Sequence, residues 1–133
     1  MTLEELENDF WKDYDYETPL VAKCHEYRKK SVNTLTIEEL RLLIGQNIGL
    51  AFLIPIALEK LKKNIFAEGD YYEGDLLVNV LKSDSTYWKN NPSNAEYLLE
   101  IVADIDSKTE ILNSSDEIKD GILSAYKDFK NLT

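Results

Sequence analysis

The sequence predicts an all-α fold, a single compact multi-helix domain spanning residues 1–133 around a buried central helix. Three observations carry that prediction. Four segments fit the capping box, in which a hydroxyl takes the N3 amide while the N3 carboxylate reaches back to the cap amide. Apolar residues recur at helical spacing after them, and no run sustains the alternation of a strand. With 133 residues, 44% of them hydrophobic, the chain is long enough to bury roughly two-thirds of its unfolded surface in one core.

Thr2-Leu3-Glu4-Glu5 opens the first helix, whose apolar face is Leu3, Leu6, Phe10 and Trp11; Leu20, Cys24 and Tyr27 give a face to the second. The box Thr36-Ile37-Glu38-Glu39 is bracketed by Leu35 and Leu40, which can form a hydrophobic staple, and it opens the central helix. From there Leu40, Leu43, Ile44, Ile48, Ala51 and Phe52 recur at helical spacing. Pro55 lacks a backbone donor and crowds the preceding turn. The expectation is either a kink near Phe52 or a fresh helix starting close to Pro55 and running to Lys63. Further helices are expected over Asp75 to Leu81, Glu96 to Ile105 and Ile118 to Phe129, with boxes at Ser93-Asn94-Ala95-Glu96 and Ser114-Ser115-Asp116-Glu117. Gly45 and Gly49 let a neighbouring helix come close to the central one, while Gly69 and Gly74 supply turns.

Charge narrows the partners. Against 15 basic residues stand 25 acidic ones, a net −10 that repels phosphate backbones and anionic lipid and favours a basic protein partner. The longest apolar run, Ile48 to Leu58, contains Gly49 and Pro55 and falls short of the ~20 residues a bilayer span needs. No secretory signal is read at Met1-Thr2-Leu3-Glu4-Glu5, and the lone Cys24 cannot form an internal disulfide, so a cytoplasmic location is expected.

Catalytic and metal chemistry find little purchase. Asp70 to Asp75 lacks the ligand spacing of a calcium loop, and one Cys with one His cannot supply a tetrahedral zinc set. Cys24 and His25 are adjacent, so on a helix they diverge by about 100° and do not converge on a substrate. Cys24 reads as a core residue and His25 as a surface one. No glycine cluster has the spacing of a phosphate cradle. The expectation is a protein without metal, cofactor or catalytic residues.

Binding residues are expected where aromatics meet carboxylates on loops. In Ala67-Glu68-Gly69-Asp70-Tyr71-Tyr72-Glu73-Gly74-Asp75-Leu76-Leu77, Asp75 reads as the N-cap of the following helix. Asp70, Tyr71, Tyr72 and Glu73 are not needed for a cap. They are candidate partner-binding residues, with Asp13, Tyr14, Asp15 and Tyr16 as a second patch built to the same recipe. Tyrosine offers contact area at modest entropy cost, and carboxylates steer encounter with a basic surface. The competing reading is that tyrosines plug the rim of the core and the acids merely solvate.

Leu40-Arg41-Leu42-Leu43-Ile44-Gly45-Gln46-Asn47-Ile48-Gly49-Leu50, then Pro55-Ile56-Ala57-Leu58-Glu59-Lys60-Leu61, Tyr72-Glu73-Gly74-Asp75-Leu76-Leu77 and Tyr87-Trp88 resemble the pattern of bacterial contact-dependent growth inhibition (CDI) immunity proteins. The resemblance covers roughly Leu35 to Pro92. It implies a small cytoplasmic protein that binds and neutralises a cognate toxin domain, here a basic one and by expectation a nuclease, as a monomer in a 1:1 complex. Within the pattern, Arg41 and Gln46 read as buried or half-buried polar groups bonded to loop carbonyls or Asp75 rather than as ligand contacts. The alternative is a helical adaptor or regulator with some other basic target.

Overall fold

The computed structural model describes residues 1–11 and 18–133. Among these, nine α-helices pack around one apolar cluster and no strand forms. Helix α1 (Leu3–Glu7) has the expected capping box, with Glu5 N–H donating to Thr2 Oγ1 at 3.2 Å and Thr2 N–H to Glu5 Oε1 at 2.8 Å. It ends sooner than its apolar pattern suggests, because Asn8 turns left-handed at φ 51°. Leu3 is consequently buried while Phe10, assigned to the same face, is exposed.

Helix α2 (Pro19–Arg28) starts with proline at N1 and is capped by Thr18. Its inward face is Cys24, His25 and Arg28, and Leu20 is exposed instead. His25 is therefore a buried residue, contrary to its expected surface position. The rotation goes with Arg28, which spends its long apolar stem in the interior and keeps Nη2 paired. Its guanidinium lies 4.4 Å from the Trp11 ring centroid and donates to Glu7 Oε1 at 2.9 Å and to the Asp9 carbonyl at 2.8 Å. The His25 ring sits 6.0 Å from that of Trp11.

The central segment breaks in a different place from the one Pro55 predicts. Helix α3 (Ile37–Gly45) carries the second full capping box and stops before Asn47 (φ 57°) and Gly49 (φ 64°), both left-handed. Helix α4 (Leu50–Lys63) then runs unbroken through Pro55. Pro55 and Ala51 both face solvent, so the carbonyl left without its helical donor can be hydrated. Ala51 is accordingly not a core residue. Gly49 is needed twice over, for its φ and because an added Cβ would meet Leu3 Cδ2 at 2.6 Å. Gly45 admits α5 instead, since a Cβ there would meet Asn79 Oδ1 at 2.6 Å.

The most buried element is the short helix α5 (Asp75–Leu81), where all but Asn79 are buried. It packs against α3, α4 and α9. A helix apolar all round belongs in the middle of a protein. Helices α6 (Ser85–Asn90), α7 (Pro92–Ile101), α8 (Ile105–Glu110) and α9 (Asp116–Leu132) complete the fold. Two expected capping boxes are not used. Pro92 at N1 starts α7 ahead of Ser93, and the cap of α9 is Ser115, whose hydroxyl accepts from Ile118 N–H at 3.2 Å. The expected helix Glu96 to Ile105 is divided between α7 and α8, with the turn after Ile101 letting both Leu98 and Ile105 reach full burial. Trp88 on α6 locks the end of the bundle. Its ring makes edge contacts with Tyr87 and Phe129, each at 5.0 Å, and its Nε1 donates to Ser83 Oγ at 3.0 Å.

Candidate functional site

The loop from Asn64 to Gly74 connects α4 to the buried helix α5, and two carboxylates hold its backbone. Asp75 is not the N-cap. Gly74 takes that position at φ 92°, and Asp75 follows as the first helical residue, fully buried. Its carboxylate does hold free amides, but those of the preceding loop. Oδ1 accepts from Gly69 N–H at 2.7 Å, and Oδ2 accepts from Tyr71 and Tyr72 N–H at 3.1 and 3.4 Å. A further amide, that of Asp70, donates across from the loop to Glu38 Oε1 on α3 at 2.9 Å. Gly69 lies between the two acids. A Cβ there would meet Glu38 Oε1 at 2.5 Å and Asp75 Oδ2 at 3.1 Å, so only glycine lets both approach.

Arg41 completes the arrangement. Its Nε and Nη2 donate to the two oxygens of Glu38, each at 2.6 Å, a bidentate pair. The hydrogen bonds from Arg41 are the main reason the Glu38 carboxyl sits below its usual range, with burial acting against them and the Asp70 amide adding to the lowering. The same guanidinium lies 4.5 Å from the Tyr71 ring centroid. Arg41 is thus half-buried as expected, yet its partner is a helix carboxylate and an aromatic face rather than loop carbonyls or Asp75. Gln46, expected to be buried or half-buried, is exposed at the end of α3.

The four loop candidates consequently differ in kind. Tyr71 is 70% exposed although its ring rests on Arg41, so one face is held and the other is open to a partner. A cation–π contact at such a site is worth about 0.5–1 kcal/mol, enough to bias the ring toward one position. Asp70 is exposed with its backbone pinned, and Glu73 is half-buried. Tyr72 is half-buried against the core, and burial, with the charge of Asp75 adding to it, pushes its hydroxyl pKa up. It plugs the rim. The second patch, Asp13, Tyr14, Asp15 and Tyr16, lies outside the described residues.

Glu38 escaped the sequence reading because its neighbour Glu39 accounts for the capping box, leaving Glu38 to look like an exposed acid. Nothing local announces a bond to a residue 32 positions away. As for other chemistry, no group of three or more His, Cys, Asp and Glu side chains among the described residues could hold a metal ion. Burial pushes the Cys24 thiol pKa up, which disfavours the nucleophilic thiolate. None of the helices described is long and apolar enough to cross a membrane.

The loop thus presents one aromatic face held on Arg41 beside the exposed carboxylate of Asp70, on a backbone bonded to Asp75 and Glu38. Compared with known families, residues 5–98 match the model of CDI immunity proteins. No curated protein matches the chain. The matched segment runs from α1 into α7 and includes the whole loop.

Proposed function

The chain belongs to the family of CDI immunity proteins, and on that premise we propose that it binds a cognate CDI toxin domain in the cytoplasm and neutralises it by covering its active or substrate-binding surface. The toxin domain is basic, and a nuclease is the best fit, since a nuclease needs a cationic face to engage its substrate. The chain acts by binding alone, as one domain and as a monomer in a 1:1 complex, with no direct role for nucleic acid, membrane or cofactor.

The observation that carries this reading beyond the family is the held but open ring of Tyr71 beside Asp70, on a chain of net charge −10. A preset aromatic loses little freedom on binding, and the acids speed encounter with a cationic surface. Asp70, Tyr71 and Glu73 are the direct contacts, Tyr72 supports them from below, and Asp13, Tyr14, Asp15 and Tyr16 form the second patch. The test is to purify the toxin domain encoded with this gene and measure its nuclease activity at increasing ratios of the chain. Activity falling to zero near one equivalent is expected. Full activity in the presence of excess chain would overturn the proposal.

A further inference from the structure

A second surface stands out against the charge of the molecule. The end of α4, the loop that follows it and the α8–α9 turn enclose a cleft of about 570 Å³. Its wall is apolar, from Phe66, Leu112 and Ile111, and Lys62, Lys63 and Lys108 line it as well. Three lysines stand with one acid, Glu73, at this cleft, a local excess of positive charge on a chain of net charge −10. Helix electrostatics explains part of this. Lys62 and Lys63 occupy the last turn of α4, where cations complement the helix dipole, and Lys108 pairs with Asp104 at 3.5 Å. Neither fact explains Ile111. It is 86% exposed, at the end of a six-residue helix, and belongs to no part of the core.

We propose that this cleft receives an apolar side chain flanked by a carboxylate on the toxin domain. The inference rests on the toxin-binding reading above and gives that interface a region of opposite charge. The cleft has room for a Leu- or Phe-sized side chain and its neighbour, and lysines around an apolar wall match an acid beside an apolar anchor. The surface is continuous with the tyrosine loop, because Glu73 lines the cleft too. Lys108, Ile111 and Leu112 lie beyond the segment matched by the family model, where a contact particular to one toxin can be written without disturbing the shared scaffold.

The test uses the sign of the electrostatic effect. The toxin is basic overall in this reading, so adding negative charge to the chain strengthens binding unless the altered residue meets an acid. Binding rates and affinity for the purified toxin domain are measured for the full chain and for Ile111→Asp, Lys63→Glu and Lys63→Gln. Lys127→Glu, on α9 outside the cleft, serves as the charge control. Ile111→Asp and Lys63→Glu should each weaken affinity at least tenfold, Lys63→Gln should weaken it in the same direction, and Lys127→Glu should leave it unchanged or tighter. Melting temperatures measured alongside should stay at the wild-type value for Ile111→Asp and Lys127→Glu and fall by a few degrees at most for the Lys63 variants, which lose a favourable charge at the end of α4. Either of the first two variants binding as well as wild type, or better, would overturn the inference while leaving toxin binding intact. A wild-type chain that does not bind at all would remove the toxin-binding reading and this inference with it.

Discussion

Replacing Asp75 tests whether the loop is built from its carboxylate. The group is fully buried and accepts three backbone N–H bonds, at 2.7, 3.1 and 3.4 Å. Hydrogen bonds to a charged group contribute roughly 1.5–3 kcal/mol each, but the two weaker ones share an oxygen and do not add fully. The exposed position of Tyr71 also lets water replace part of what is lost. Asp75→Ala should therefore cost about 3 kcal/mol, and Asp75→Asn about 2 kcal/mol, since the amide keeps one acceptor but points an N–H toward amides that also donate. In a domain of this size 3 kcal/mol lowers the melting temperature by about 10 °C. Urea unfolding followed by circular dichroism measures both variants. An Asp75→Ala protein within about 1 kcal/mol of wild type would refute the reasoning, because the buried carboxylate would then carry no net bonding to the loop.

Three other outcomes are expected. The Glu38 carboxyl is held below its ordinary value of 4.5, chiefly by Arg41. Its contribution is thus present above that pH and lost as pH falls through the lowered value, so Glu38→Gln should destabilise at pH 7 and progressively less as the pH is taken down from 4.5 in parallel urea titrations. Trp88→Ala removes a buried ring with two edge contacts and should cost about 3–5 kcal/mol, read as an earlier unfolding midpoint with little change in slope. Asp70→Asn, at an exposed position, should slow association with the toxin domain and flatten its salt dependence while leaving dissociation and melting unchanged, as stopped-flow mixing at two salt concentrations would register.

The helical class was legible because its signals are local. Thr2 with Glu5 and Thr36 with Glu39 form both bonds of the predicted boxes, since a box needs only four residues in sequence. Placement failed where distant packing decides. Pro55 is a strong local breaker, yet on a solvent-facing turn it is tolerated, and the real break falls where Asn47 and Gly49 turn left-handed. The inward turn of His25 depends on Arg28 reaching Glu7, Asp9 and Trp11, none of them on its own helix. At the site, the aromatic and acidic composition of Asp70 to Glu73 marked the loop. Composition could not rank its members, because Tyr71 is set apart from Tyr72 by Arg41 and by the core. The cleft beside Lys63 and Ile111 was invisible, since these two walls come from segments more than 40 positions apart, with Glu73 and Ile101 between them in sequence.

If the ring held on Arg41 anchors the toxin, as proposed, the dissociation rate of Tyr71→Ala from the purified toxin domain will register its loss. Tyr71 is exposed in the free chain and its removal loses only the contact with Arg41, so the melting temperature should fall by no more than about 3 °C. Faster dissociation and a loss of affinity of about 30-fold are expected, equivalent to about 2 kcal/mol for a hot-spot aromatic. Wild-type association and dissociation rates in Tyr71→Ala would contradict it, and would mean that the loop closes α5 and meets only water.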